Sequence, residues 1–178
     1  MLFDQTKIIL DLCGGSGAWS APYVEAGYDV RLVTLPTQDV RLYQPPDNVY
    51  GIVMAPPCTL FSLAGNRWQR TEQEIIAALS VVDACLRMVV ICNPVFWALE
   101  NPVGKLSGWL GEARWIFDPC EYGDPYKKRT ALWGKFNIPV RQPVAATLGS
   151  KMHTHVRNQA MRSVTPSGFA RAFFEANR

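Results

Sequence analysis

"KIILDLCGGSGAWSAPYVEAGYDVRLVTL" (Lys7–Leu35) decides the fold class of this 178-residue chain. Its apolar opening reads as a strand, and a turn with glycines at 14, 15 and 17 stops it. A short helical stretch then ends near Gly27 and a second strand rich in Val and Leu follows. This is a β-α-β unit. Working outward, "YGIVMA" (Tyr50–Ala55) reads as a third strand, and Thr71 with Glu74 forms a capping box that opens a helix. Within that helix Ile75, Leu79, Val82, Leu86 and either Val89 or Val90 recur at helical spacing, so one face packs inward. "PVFWALENP" (Pro94–Pro102) is a further strand that stops at Glu100, and "RWIFDP" (Arg114–Pro119) and "RTALWGKF" (Arg129–Phe136) read as late strands. Ile138 to Val164 is irregular and polar enough to be mostly loop. The alternation predicts a doubly wound, mostly parallel α/β sheet with helices on both faces, built as a single domain over residues 1–178.

With 48% hydrophobic and 19% charged residues the chain has an ordinary globular balance. It shows no basic flank followed by a long apolar run, and no stretch of roughly 20 uninterrupted apolar residues. The expectation is a cytoplasmic protein without a membrane partner. Its five cysteines are scattered and include no C-x-x-C pair, which argues against a disulfide framework or a zinc knuckle. His153 and His155 alternate in a basic loop and do not by spacing form a zinc site, so no metal is expected. The net charge of +3 is unevenly spread: 8 Lys or Arg face 14 Asp or Glu up to Pro125, and 10 face 1 from Tyr126 onward. The basic C-terminal third would attract a polyanion, with nucleic acid the obvious candidate.

In a doubly wound sheet, ligands gather at the carboxyl ends of the strands. The glycine turn, the loop "MAPPCTLFSLAG" (Met54–Gly65) and Glu100 each follow a strand, so they should converge on one edge. The turn "DLCGGSG" departs from the dinucleotide fingerprint because Ser20 stands where the third glycine would be, which favours a ligand without phosphates. Cys58 follows two prolines that remove backbone freedom, so its thiol is aimed, as a nucleophile requires. Glu100 ends a strand too apolar to want an acid, which suggests a partly buried carboxyl able to donate a proton. Cys85 and Cys92, near the packed helix, read as inert core thiols.

In this order, "DLCGGSGAW", "APPCTLFSLAG", "ENP", "YGDPYKKRT" and "TPSGFARAFFEAN" resemble the C5-cytosine DNA methyltransferase family over almost the whole chain. The resemblance implies a Rossmann-like methyltransferase fold and transfer of a methyl group from S-adenosylmethionine to C5 of cytosine. It assigns Cys58 as the nucleophile that adds to C6, Glu100 as the group at N3, and Lys128 as a cation near the base. The cofactor pocket is carried over onto Asp11, Leu12, Cys13, Gly15, Gly17, Ala18, Thr34, Asp39, Val40 and Pro57. Three positions depart from the family pattern. Cys13 replaces an aromatic residue, Thr34 an acid that grips the ribose, and Lys128 with Thr130 two arginines.

The family's separate target-recognition domain would lie before the final helix, where too few residues are present to build one. Specificity is therefore expected to be short or relaxed, or supplied by a separate specificity protein. Compact chains of this kind resemble phage or prophage methyltransferases acting in a bacterial or phage-infected cell. Double-stranded DNA with a flipped cytosine is the expected partner. Arg67, Arg70, Arg129, Lys151, Arg157 and Arg162 are candidate nucleic-acid contacts, and Arg141 and Trp68 lie in the same two patches. RNA or a free cytosine nucleotide as substrate, and a non-catalytic module that regulates a partner, are the alternatives.

Overall fold

A computed structural model describes residues 6–62, 71–150 and 163–178. Six strands form one sheet in the order β2-β1-β3-β4-β6-β5. They are β1 (Ile8–Leu12), β2 (Asp29–Val33), β3 (Val49–Met54), β4 (Phe96–Pro102), β5 (Trp115–Phe117) and β6 (Thr130–Lys135). Strands β1 to β4 pair in parallel, while β6 runs antiparallel to both β4 and β5. The sheet is therefore mixed, with β6 alone reversed. The chain steps from β1 outward to β2 and then back across β1 to β3. That reversal puts a topological switch point above β1 and β3, where such sheets open a crevice for ligands.

The central strands are buried on both faces, and the period of two sorts their side chains into two cores. Leu10, Leu12, Ile52, Met54 and Leu99 face helix α2 (Glu72–Cys92) and pack with its Val82, Cys85 and Met88. Ile9, Val53, Ala98 and Leu132 point the other way, toward helices α1 (Ala21–Glu25) and α4 (Ser167–Ala176). A short helix α3 (Ser107–Leu110) follows β4. Both faces are thus covered, as the alternation of elements predicts.

Helix α2 begins at the expected capping box. The Thr71 hydroxyl accepts from the Glu74 amide at 3.2 Å, and the Glu74 carboxylate accepts from the Thr71 amide at 2.8 Å. It ends at Asn93 in the left-handed conformation (φ 44°), just before Pro94. By length and composition α2 is apolar enough to cross a membrane, with a mean hydropathy of 2.3 over its most apolar window. In this fold one stripe of it packs onto the sheet, while Asp83 and Arg87 are exposed and the Arg87 guanidinium donates to the Arg41 carbonyl at 2.9 Å.

The opposite face is held by aromatic rings. Phe169 and Phe173, one turn apart on α4, close over Trp19 at centroid distances of 5.8 and 5.3 Å, and Phe117 stacks on Phe169 at 4.0 Å. The Tyr23 hydroxyl donates to the Asn177 carbonyl at 3.2 Å, and the Asn177 amide donates to the Phe173 carbonyl at 2.9 Å, so α4 is locked to α1 at its end. Because Phe169 is fully buried among four rings, Phe169→Ala should lower stability by about 3–5 kcal/mol. A lower urea midpoint with an unchanged slope would register this.

Candidate active site

The glycine turn is shaped by the carboxylate it covers. A Cβ on Gly14 would lie 1.9 Å from Asp11 Oδ1, so only glycine fits there. Cys13 (φ 59°), Gly15 (φ 56°) and Gly17 (φ 70°) are all left-handed, and the Cys13 amide is anchored on the Val33 carbonyl at 2.8 Å. Gly15 and Ser16 emerge at the surface. Asp11 is fully buried, accepts from the Ser20 hydroxyl at 2.5 Å, and has its other oxygen, Oδ1, without a partner among the described residues. Burial raises the Asp11 pKa to about 6, against the lowering effect of Ser20. Ser20, where a dinucleotide fingerprint would carry glycine, thus spends its hydroxyl on Asp11. Exposed backbone beside an unsatisfied buried carboxylate oxygen fits a small polar ligand that approaches the main chain closely.

The cysteine loop is tied on both sides. Its first amide, Ala55, donates to the Leu12 carbonyl at 2.9 Å, which fastens it to the strand that carries the glycine turn. Pro56 and Pro57 have no N–H and cannot tie the loop themselves. The Pro56 carbonyl instead accepts from the amide of Asn101, a fully buried side chain on β4, at 3.0 Å. Beyond it, the Cys58 carbonyl accepts from the Phe61 and Ser62 amides at 3.0 and 2.9 Å, forming one tight turn. The Lys105 amide then donates to the Phe61 carbonyl at 2.7 Å, and a Cβ on Gly104 would meet that carbonyl at 2.2 Å. Cys58 is half-buried and not in a disulfide.

Glu100 follows Leu99, which registers with Met54 at the end of β3. The strand does not stop at Glu100, as the sequence suggests, but runs to Pro102. Antiparallel pairing with β6 extends it, setting Glu100 opposite Leu132 and Pro102 opposite Thr130. The same pairing brings Lys128, just ahead of β6, into the field of Glu100. Desolvation raises the Glu100 pKa and the Lys128 charge opposes the rise. Three of the residues singled out by sequence, Cys58, Glu100 and Lys128, therefore sit on one edge beside the glycine turn.

Other candidates are placed less directly. Leu12 and Val40 are buried in the α2-side core, whereas Thr34, Ala18 and Asp39 are half-buried and Pro57 is exposed. The Asp39 carboxylate is engaged by the Arg41 guanidinium at 2.5 Å, which lowers its pKa to about 2. Arg129 is exposed and pairs with Asp118 at 3.3 Å. Arg141, expected at phosphates, instead pairs with Glu121 at 2.8 Å and lies 4.6 Å over the Trp115 ring. Arg67, Trp68, Arg70, Lys151, His153, His155, Arg157 and Arg162 lie outside the described residues. Among the described residues no group of three or more His, Cys, Asp or Glu side chains could hold a metal ion. Asn101 and Ser20 carry no role in the sequence reading. A buried amide directly after Glu100, in an otherwise apolar strand, was the signal available for the first.

No protein-family model matches the chain. The type II methyltransferase M.DdeI of Desulfomicrobium norvegicum is 31% identical over 168 aligned residues, covering 70% of this chain and 39% of the relative. This similarity agrees with the methyltransferase family that the motifs of the chain resemble. The chain spans about two fifths of that relative's length. A solved structure of a candidate DNA modification methyltransferase encoded within an E. coli prophage shares the methyltransferase fold, at a TM-score of 0.53 and 19% identity, over 79% of this chain and 53% of that one.

Two measurements bear on this geometry. Asp11 holds a proton in the fold, but not in the unfolded chain, between its ordinary value of 3.8 and about 6. Its contribution therefore weakens stability as pH rises through that window, and Asp11→Asn should remove up to about 3 kcal/mol of this pH dependence. Urea unfolding of both proteins at pH 4 and pH 7 checks it. Asn101→Ala leaves the Pro56 carbonyl without its donor and should cost about 1–3 kcal/mol, read as a lower melting temperature than that of wild type.

Proposed function

We propose that this chain transfers a methyl group from S-adenosylmethionine to C5 of cytosine in double-stranded DNA, through a covalent bond between Cys58 and C6. The observation that carries the reading is the joining of the Cys58 loop to the Glu100 strand, through Asn101, beside a glycine turn. A DNA modification methyltransferase and a type II methyltransferase as neighbours in structure and sequence favour DNA as substrate.

Each residue has a task set by the chemistry of a poorly nucleophilic carbon. The Cys58 thiolate adds to C6 and pushes electron density to C5. Glu100, with its pKa raised by burial, holds a proton at N3 and so stabilises the charge that the addition develops on the ring. Lys128 supplies a cation beside that acid. Loss of the C5 proton later expels the Cys58 sulfur and restores the aromatic ring. S-adenosylmethionine supplies an electrophilic methyl group when bound. Asp11, Cys13, Gly15, Gly17 and Ala18 around the turn would hold it, with Leu12, Thr34, Asp39, Val40 and Pro57 as the surrounding wall. Base extrusion gives the thiol access to C6, which is stacked within the duplex. Arg129 would contact phosphate, with the basic residues of the two patches. A separate specificity protein could select the sequence, and the bacterial or phage-infected cytoplasm is where such a reaction would take place.

Duplex DNA carrying 5-fluorocytosine has fluorine in place of the C5 proton, so the elimination that would expel the Cys58 sulfur cannot occur. With S-adenosylmethionine it should trap the wild-type protein as an adduct stable to denaturation, and Cys58→Ala should abolish the adduct. Glu100→Gln should lower turnover at least a hundredfold with little change in cofactor affinity. Trapping by RNA or a cytosine nucleotide alone would overturn DNA as the substrate. No adduct with any cytosine substrate would overturn the catalytic reading in favour of a regulatory module.

A further inference from the structure

Cys13 and Cys85 lie 72 positions apart in the chain, and their sulfurs meet at 3.9 Å where the mouth of the glycine turn touches α2. The two are unequally accessible. Cys85 is fully buried, whereas Cys13 is half-buried at the turn. We propose that this pair is a site of reversible oxidation, closed to a disulfide by a hydroperoxide, and that closure weakens ligand binding at the glycine turn. The second half rests on the proposed function. The first does not.

Closing the pair means shortening the sulfur separation to the ~2.05 Å of a disulfide. Cys85 cannot supply much of that movement, because it sits midway along a 21-residue helix capped at both ends and packed on the sheet. The displacement therefore falls on Cys13. That residue is already left-handed and is followed by Gly14, where an added Cβ would collide with Asp11. A pull on Cys13 is thus passed to Gly15 and to the exposed backbone of the turn.

The accessibility difference sets the order of events. Cys13 is the less buried of the two, and the hydrogen bond with Cys85 lowers its pKa, which favours the reactive thiolate. The Cys13 thiolate attacks the hydroperoxide, the O–O bond breaks, and a sulfenic acid forms with release of hydroxide or alkoxide. The Cys85 sulfur then displaces hydroxide from that sulfenic acid, losing its own proton, so the products are the disulfide and water. Two thiols lose two electrons in total and the hydroperoxide gains them. A small dithiol reverses the step by exchange.

The test uses the full chain carrying Cys58→Ala, so that the proposed nucleophile does not compete for oxidant. After a near-stoichiometric dose of hydrogen peroxide, unreduced peptide mapping should find the Cys13 and Cys85 peptides joined and 2 Da lighter than their sum. The Kd for S-adenosylmethionine, measured by calorimetry, should rise at least tenfold and return to its starting value with dithiothreitol. Cys13→Ser and Cys85→Ala should each prevent the linkage and the loss of affinity, and either variant suffices if the other fails to fold. Conversion of Cys13 to sulfinic acid without linkage would overturn the proposal, as would linkage that leaves the Kd unchanged. If the reduced protein binds no S-adenosylmethionine, the proposed function is at fault, and the linked peptide alone decides whether the pair is a redox site.

Discussion

One hydrogen bond, from the buried amide of Asn101 to the carbonyl of Pro56, sets the relation between the two halves of the candidate site. Consecutive prolines make the approach to Cys58 stiff, yet stiffness alone does not aim a thiol. A rigid segment without donors still pivots about its ends. The Ala55–Leu12 bond fixes one end to the glycine-turn strand, and Asn101 fixes the middle to the strand bearing Glu100. Cys58, the turn and the acid therefore move as one body, which is what pre-organisation of a reaction centre requires.

The site is also where the fold accepts unfavourable burial. Asp11 and Glu100 both lie where desolvation raises their pKa values, at two points along the same sheet edge, and they are compensated differently. Asp11 has a hydroxyl partner and leaves one oxygen unmatched. Glu100 has the charge of Lys128 nearby, brought there by the reversed strand β6. A parallel strand in that place would not enter the sheet from the carboxyl edge, so Lys128 would not precede it there. The one exception to parallel order is thus part of the site.

Much of this was legible in the sequence because it rests on local signals. The three-glycine turn, the capping box at Thr71 and Glu74, and the Pro-Pro-Cys segment each state their geometry through residue types. The extension of β4 past Glu100 was not legible, because Asn101 and Pro102 are poor strand formers and join only through pairing with Ala131 and Thr130, which lie far along the chain. The reversal of β6 was hidden for the same reason, since no local pattern marks direction. Arg141 shows the limit of charge counting. Its sequence neighbourhood is basic, but Glu121 and Trp115 reach it from a distant segment and engage it within the fold.

The locking of α4 onto α1 has a consequence for how the protein is made. Trp19 and Tyr23 are made well before the rings that cover them, since Phe169, Phe173 and Phe174 are translated more than 140 residues later. Until then one face of the nascent sheet lacks its cover. The α2 side can collapse during synthesis, while the α4 side must wait for contacts of very long sequence separation, which slow folding and leave apolar surface exposed in the interval.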